Sequence, residues 1–193
     1  MRTNTYLKDG LWPWAACAAV LAAAAFALRA QGRLWLCECG YFRVWTGDTW
    51  SADNSQHLFD PYALTHVLHG FVFCGLLALV APRLSAAWRL CLAVAAEAAW
   101  EVIENTEFVI NRYREATAAL GYKGDTVVNS LGDVLACAAG FAIALRLGWR
   151  RALVAFFAVE ALLLLWIKDG LILNVLMLLF PSDAIREWQA AGR

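Results

Sequence analysis

Net charge is what this sequence most lacks. Lys plus Arg number 16 and Asp plus Glu 16, a formal balance of zero at neutral pH. Nowhere do the basic residues gather into the stripe that a polyanion requires, so nucleic acid is excluded as a partner. Cysteines at zinc-finger spacing are also missing. Of six Cys, Cys17, Cys74, Cys91 and Cys137 fall within apolar runs, where Cys behaves as a small hydrophobe. Only Cys37 and Cys39 stand apart, as a Cys-Glu-Cys element that fits a redox role, a metal role or plain burial in a loop. The polarity of a soluble domain is the third absence.

What is present is apolar. The chain of 193 residues is 62% hydrophobic, with mean hydropathy +0.56, ten Trp and ten Phe, against about 45–50% apolar residues in an ordinary soluble domain. This composition predicts an all-α polytopic membrane helix bundle, one integral membrane domain over residues 1–193, with the lipid bilayer as its solvent.

The spans can be placed in order. Leu11 to Leu28 is uncharged and flanked by Arg2, Lys8, Arg29 and Arg33. It is longer than the roughly 7–15-residue core of a signal peptide, so a retained anchor is the favoured reading. Residues 32–60 form a polar, Trp-rich extramembrane loop suited to the headgroup region. Further spans are expected at 61–81, 86–110, 126–145 and 152–167. Pro61 takes the first helical position of the second, and Asp60 its N-cap. The apolar run 171–180 follows Lys168-Asp169-Gly170 and is too short to cross straight. It reads as a re-entrant or sixth segment, or as the end of a kinked fifth helix. A short amphipathic helix, Asp183 to Ala190, closes the chain on the membrane surface. Five or six spans result. Short-loop Lys and Arg place the N-terminus in the cytoplasm and the long loop outside.

Counting crossings puts the start of span two, the end of span three, the start of span four and the end of span five on one side, whatever the orientation. At about 1.5 Å per residue, His66 and His69 then lie roughly 7–12 Å into the bilayer, Glu101 about 8 Å, and Asn129 and Asp133 about 5–11 Å. The spacing agrees with the depth. His66/His69, Glu97/Glu101/Glu104 and Asp125/Asn129/Asp133 each form one helical stripe. Because charge in a bilayer is costly, such stripes turn inward and find partners, which implies a shared polar pocket.

His66, His69, Glu101 and Asp133 are the candidate catalytic set. His66, His69 and Glu101 are the candidate ligands of a divalent metal ion, with Asp133 a further ligand or supporting partner. A metal-free acid–base pair is the second chemical reading. In the plain structural alternative these groups pair with one another and with Arg112 and Arg114 to hold helix register. Arg112, Arg114, Asn105, Asp125 and Asn129 are candidate substrate contacts, the arginines for an anionic headgroup. Glu97 and Glu160 extend the set to the midplane.

The segments DPYALTHVLHGFVF, WEVIENTEFVINRYREAT and GDTVVNSLGDVLACAAGF resemble a family of small uncharacterised bacterial inner-membrane proteins built on a domain of unknown function. The resemblance covers the chain from about Asp48 onward. It implies a multi-pass inner-membrane location and carries no established activity. More distantly, Asp125, Asn129 and Gly132, with Glu101 and Asn105, are similar to the acidic motifs of VanZ-like membrane proteins, which implies envelope-related chemistry. The functions these observations support are action on a lipid-like or envelope substrate, transport or proton relay, and a structural or assembly role without catalysis.

Overall fold

A computed structural model describes residues 10–117 and 121–191. Arg2 and Lys8, counted for orientation, lie outside them. Every regular element among the described residues is a helix: α1 (Trp12–Ala30), α2 (Ala63–Val80), α3 (Ala86–Glu104), α4 (Glu107–Ala116), α5 (Val127–Leu147), α6 (Trp149–Trp166), α7 (Leu171–Leu179) and α8 (Asp183–Ala190). No strand occurs among the described residues. The nearest approach to one is an isolated bridge between Trp45 and Phe59 in the long loop.

Hydroxyl caps start three of the helices. Ser85 accepts the N–H of Trp88, Thr106 that of Val109, and Thr126 that of Asn129. Each satisfies a backbone donor that would otherwise lack a partner in the first turn. α2 begins two residues later than its Pro suggests, because Pro61 and Tyr62 form a turn. Asp60 still binds that turn, accepting the Tyr62 N–H at 2.8 Å and the Ser55 N–H at 2.9 Å.

Three helices, α1, α2 and α5, are long and apolar enough to cross a membrane. A fourth candidate is the pair α6 and α7, bent by 72° at the break between them. The expected count of five or six is therefore reduced to three or four. α3 matches α1 in length, but it carries Arg89, Glu97, Glu101 and Glu104 and is not apolar enough on composition. The expected span 86–110 is also not one helix. It stops at Asn105, whose side chain bonds back to the Glu101 carbonyl at 3.1 Å, and restarts at the Thr106 cap. Local side-chain bonding here outcompetes helix continuation.

The bundle is built around α2 and α5. Gly70 of α2 lies against the Cys137 carbonyl of α5, and Gly140 of α5 against the Val67 carbonyl of α2. A Cβ at either glycine would collide with backbone, so this close approach depends on both, as at small-residue helix contacts in membranes. Beyond the glycines, Phe71, Cys74, Ala93, Phe141 and Ala144 pack as a buried apolar cluster. Large apolar side chains such as Phe26, Leu79 and Leu165 point outward from the bundle. The long loop covers the opposite end, where Leu34 and Ser55 carbonyls accept the N–H groups of Val127 and Thr126 at the start of α5.

Candidate functional site

The glycine contact brings the polar stripe of α2 against those of α3 and α5. His66 and His69 are one turn apart on α2, and both direct Nδ1 at Glu97 of α3. The distances are 2.6 Å from His66, and 2.8 and 3.0 Å from His69 to the two carboxylate oxygens. A carboxylate only accepts, so each Nδ1 carries a hydrogen and donates it to Glu97. His66 Nδ1 also lies 3.3 Å from Glu101, and its Nε2 lies 3.9 Å from Asp133 of α5. Glu97, Glu101 and Asp133 are all buried. Both Glu101 oxygens and Asp133 Oδ1 are buried without a hydrogen bond among the described residues. Two sets of ligating atoms, His66–His69–Glu97 and His66–Glu101–Glu104, each lie within 4.8 Å of one another and share His66.

This cluster opens, through His66, His69 and Asp133, onto a cavity of about 1050 Å³ between the bundle and the long loop. The wall is acidic. Asp60, Glu104, Asp125, Asp133 and Asp169 line it, whereas Lys123 is its one ammonium group among the described residues. Burial pushes the Asp60 and Asp125 carboxyls above their ordinary value, against the lowering effect of the hydrogen bonds each accepts.

The other candidate contacts divide. Asp125 lines the cavity, but it is occupied: Asn105 donates to it at 2.8 Å, Tyr122 at 3.0 Å, and its own N–H donates to Asn105 at 2.7 Å. Asn105 and Asp125 thus tie the end of α3 to the start of α5. Asn129 is buried with its amide nitrogen unpartnered among the described residues. Arg112 and Arg114 do not line the cavity. Arg112 donates to the Leu178 carbonyl at the end of α7, and Arg114 to the Tyr122 carbonyl. Their guanidinium groups secure backbone ends, and neither pairs with a buried carboxylate among the described residues.

Several residues gained importance only in three dimensions. Glu97, expected only to extend the set to the midplane, is the group that orients both histidines. Its stripe with Glu101 was visible, but the rotation that sets it opposite α2 was not. Glu160 accepts the N–H groups of Leu171 and Ile172 at 2.7 and 3.3 Å, capping the N-terminus of α7 after the bend. Asp169 accepts the Tyr62 hydroxyl at 3.2 Å and lines the cavity. His57, the third histidine, is buried in the loop beside Cys39 and Asp53. Its i,i+4 spacing from Asp53 was the available signal.

The chain is matched over residues 28–191 by the family model described as "Protein of unknown function (DUF2585)". It is 48% identical over 179 residues to a "UPF0314 protein" of Paracoccus denitrificans (strain Pd 1222), with 93% of each chain covered. It is 47% identical to "UPF0314 protein R03235" of Rhizobium meliloti (strain 1021), covering 95% of this chain and 92% of that one. With "UPF0314 protein NGR_c32320" of Sinorhizobium fredii (strain NBRC 101917 / NGR234) the identity is 46%, over 97% and 96%. No solved structure matches. The expected resemblance is confirmed on these grounds: the chain belongs to the uncharacterised protein family UPF0314 and carries the DUF2585 domain of unknown function.

Proposed function

We propose that this chain is a multi-pass membrane protein, of the bacterial inner membrane as its resemblance implies, and that its acidic cavity holds a divalent metal ion for action on a lipid-like or envelope substrate. One observation carries the reading: Glu97 accepts from Nδ1 of both His66 and His69. A histidine that ligates a metal typically donates its other ring N–H to a carboxylate. Here one carboxylate does so for two histidines, and two further carboxylates with unpartnered oxygens adjoin His66: Glu101 at 3.3 Å from Nδ1 and Asp133 at 3.9 Å from Nε2. Two imidazoles and a carboxylate suit zinc, iron or manganese. Such an ion would polarise a carbonyl or phosphoryl oxygen or activate a water molecule.

The charge of the wall narrows the substrate. With Arg112 and Arg114 committed to backbone, a free anionic headgroup would meet mainly carboxylates. A phosphate bridged through the metal ion, or a cationic group, is compatible with them. The volume is adequate for the polar end of an amphipathic molecule, since ligand pockets commonly run about 300–1000 Å³.

In this reading α3 also crosses the membrane, its Glu97 and Glu101 turned into the bundle, so that α1, α2, α3, α5 and the bent α6–α7 pair give five crossings. The N-terminus is then cytoplasmic and the long loop external. A through-membrane proton relay or transporter has less support, because the buried apolar cluster of Phe71, Ala93 and Phe141 lies beyond Glu97. A purely structural role leaves the unpartnered oxygens of Glu101 and Asp133 without a purpose.

Metal analysis of detergent-purified protein tests the proposal. About one zinc, iron or manganese per chain is expected in the wild type after dialysis against the ion, and a loss of most of it in His66→Ala and Asp133→Asn. A wild type that holds no ion above the level of His66→Ala would sink the metal-assisted reading.

A further inference from the structure

A second cluster lies in the long loop, at the rim of the cavity and independent of the histidines of α2. Cys37 and Cys39 form a disulfide there. It spans two positions in sequence, so it closes almost no chain and adds little of the loop-closure stabilisation that structural disulfides provide. Cys37 is half-buried, Cys39 is exposed, and both line the cavity. Behind them sits His57, buried and stacked on Tyr41 at 5.3 Å between ring centroids.

The tautomer of His57 follows from its neighbours. The backbone N–H of Arg43 donates to Nδ1 at 3.3 Å. Nδ1 is therefore the acceptor, and the ring hydrogen is on Nε2. Nε2 faces Cys39 Sγ at 3.9 Å and Asp53 Oδ1 at 3.6 Å. The Asp53 carboxylate is engaged by the Tyr41 hydroxyl at 2.7 and 2.8 Å and by Arg43 at 3.1 Å, which offsets its charge beside a sulfur. On the other side, the Cys39 N–H donates to Cys37 Sγ at 3.1 Å. Each sulfur thus has an N–H donor suited to a thiolate. The same four residues have metal-ligand chemistry. For His57 to bind an ion through Nε2, however, Nδ1 would have to carry the hydrogen and meet the Arg43 N–H head on.

We infer that Cys37 and Cys39 are a redox-active pair that exchanges with a dithiol of another protein, with His57 as the positioning residue for the Cys39 thiolate. A partner thiolate attacks the exposed Cys39 Sγ. The Cys37–Cys39 bond breaks as a partner–Cys39 disulfide forms, and Cys37 leaves as a thiolate held by the Cys39 N–H. The partner's second thiolate then attacks its own first sulfur. A disulfide forms within the partner, and Cys39 leaves as a thiolate facing the His57 Nε2–H. Two electrons pass from partner to loop, and the protons released by the partner's thiols are taken up by Cys37 and Cys39 from solvent.

The test uses the full chain in detergent, with dithiothreitol and oxidised glutathione as probes. Maleimide trapping with mass mapping is expected to show Cys37 and Cys39 cycling together between oxidised and reduced states without unfolding. The buried Cys74, Cys91 and Cys137 should stay unmodified throughout. In the reduced protein, iodoacetamide is expected to modify Cys39 roughly tenfold faster in the wild type than in His57→Phe, which keeps the ring stack and removes the N–H. Cys37→Ser, whose second sulfur is gone, should accumulate glutathione on Cys39. A pair that is reduced only after denaturation, or equal alkylation rates in a folded His57→Phe, would overturn the inference. Uptake of one zinc by the reduced wild type, lost in His57→Phe, would overturn it in favour of a metal site.

Discussion

Glu97 has two imidazole donors and no exposure, so its removal leaves both histidines without their orienting partner in a dry interior. Leaving a buried hydrogen-bond donor unsatisfied costs about 1–3 kcal/mol for each donor. Glu97→Ala is expected to lower the thermal midpoint in detergent sharply, whereas Glu97→Gln keeps most of the fold and loses the metal. An equal metal content in folded Glu97→Gln would show that histidine orientation is not the role of this carboxylate. Glu160 is a different case. It serves the backbone of α7 and nothing in the cavity, and Glu160→Ala, by freeing two N–H groups, should cost about 1–3 kcal/mol without changing metal content. In the loop, the Tyr41 hydroxyl holds the Asp53 carboxyl below its ordinary value of 3.8. A depressed carboxylate contributes stability that is present above its unfolded value and lost as pH falls through its folded one. Loop protection from proteolysis should accordingly hold down to about pH 4 and weaken below it in the wild type. Asp53→Asn should abolish that pH dependence.

At the scale of elements, the site depends on two interruptions and one contact. α3 stops at Asn105 and α6 before the Lys168–Gly170 break, and each interruption leaves polar groups that a neighbour serves: Asp125 and Ser130 accept from the Asn105 side-chain amide, and Glu160 caps the backbone of α7. α4 and α7 are then joined by Arg112 on Leu178 and Tyr113 on Asn174. The decisive contact is α2 on α5. Gly140→Val puts a branched side chain where the Val67 carbonyl lies, and because backbone cannot yield as a side-chain tip can, the cost should exceed the roughly 1–3 kcal/mol of ordinary overpacking. Separation of α2 from α5 also moves His66 away from Asp133. Metal binding should fall even in conditions where Gly140→Val is still helical by circular dichroism. Retention of full metal content in that variant would mean that the cluster is held together without this contact.

For the whole molecule, the proposed five crossings can be read by labelling. Single Cys probes at Glu38 and Lys123 should react with an impermeant reagent from one face of the membrane, and probes at Arg83 and Arg150 from the other. Reaction of Lys123 from the face of Arg83 would remove α3 from the spans and leave the three-or-four arrangement that apolar length alone supports. Because the cysteine pair sits in the loop and the histidines of α2 in the bundle, the two proposed chemistries should separate by mutation. Loss of the metal ligands should leave exchange at Cys37 and Cys39 unchanged, and the converse should hold for Cys37→Ser.

Helical class, the positions of the long apolar segments and the polar stripes were legible in the sequence, because hydropathy and the spacing of His66, His69, Glu101 and Asp133 are local properties that tertiary contacts do not rewrite. The surface helix at Asp183–Ala190 was legible for the same reason. The break at Asn105 and the late start of α2 were not, since each depends on which side chain reaches a nearby backbone group. The roles of Glu97, Arg112 and Arg114 lay further out of reach. Which face of α3 meets α2, and whether an arginine finds a carbonyl before it finds a carboxylate, depend on helix rotation and on contacts more than sixty positions apart, as between Arg112 and Leu178. The sequence by itself determined that the polar groups fall on helical stripes. Only the tertiary structure, through the close approach of Gly70 and Gly140 to facing backbone, decided that they touch.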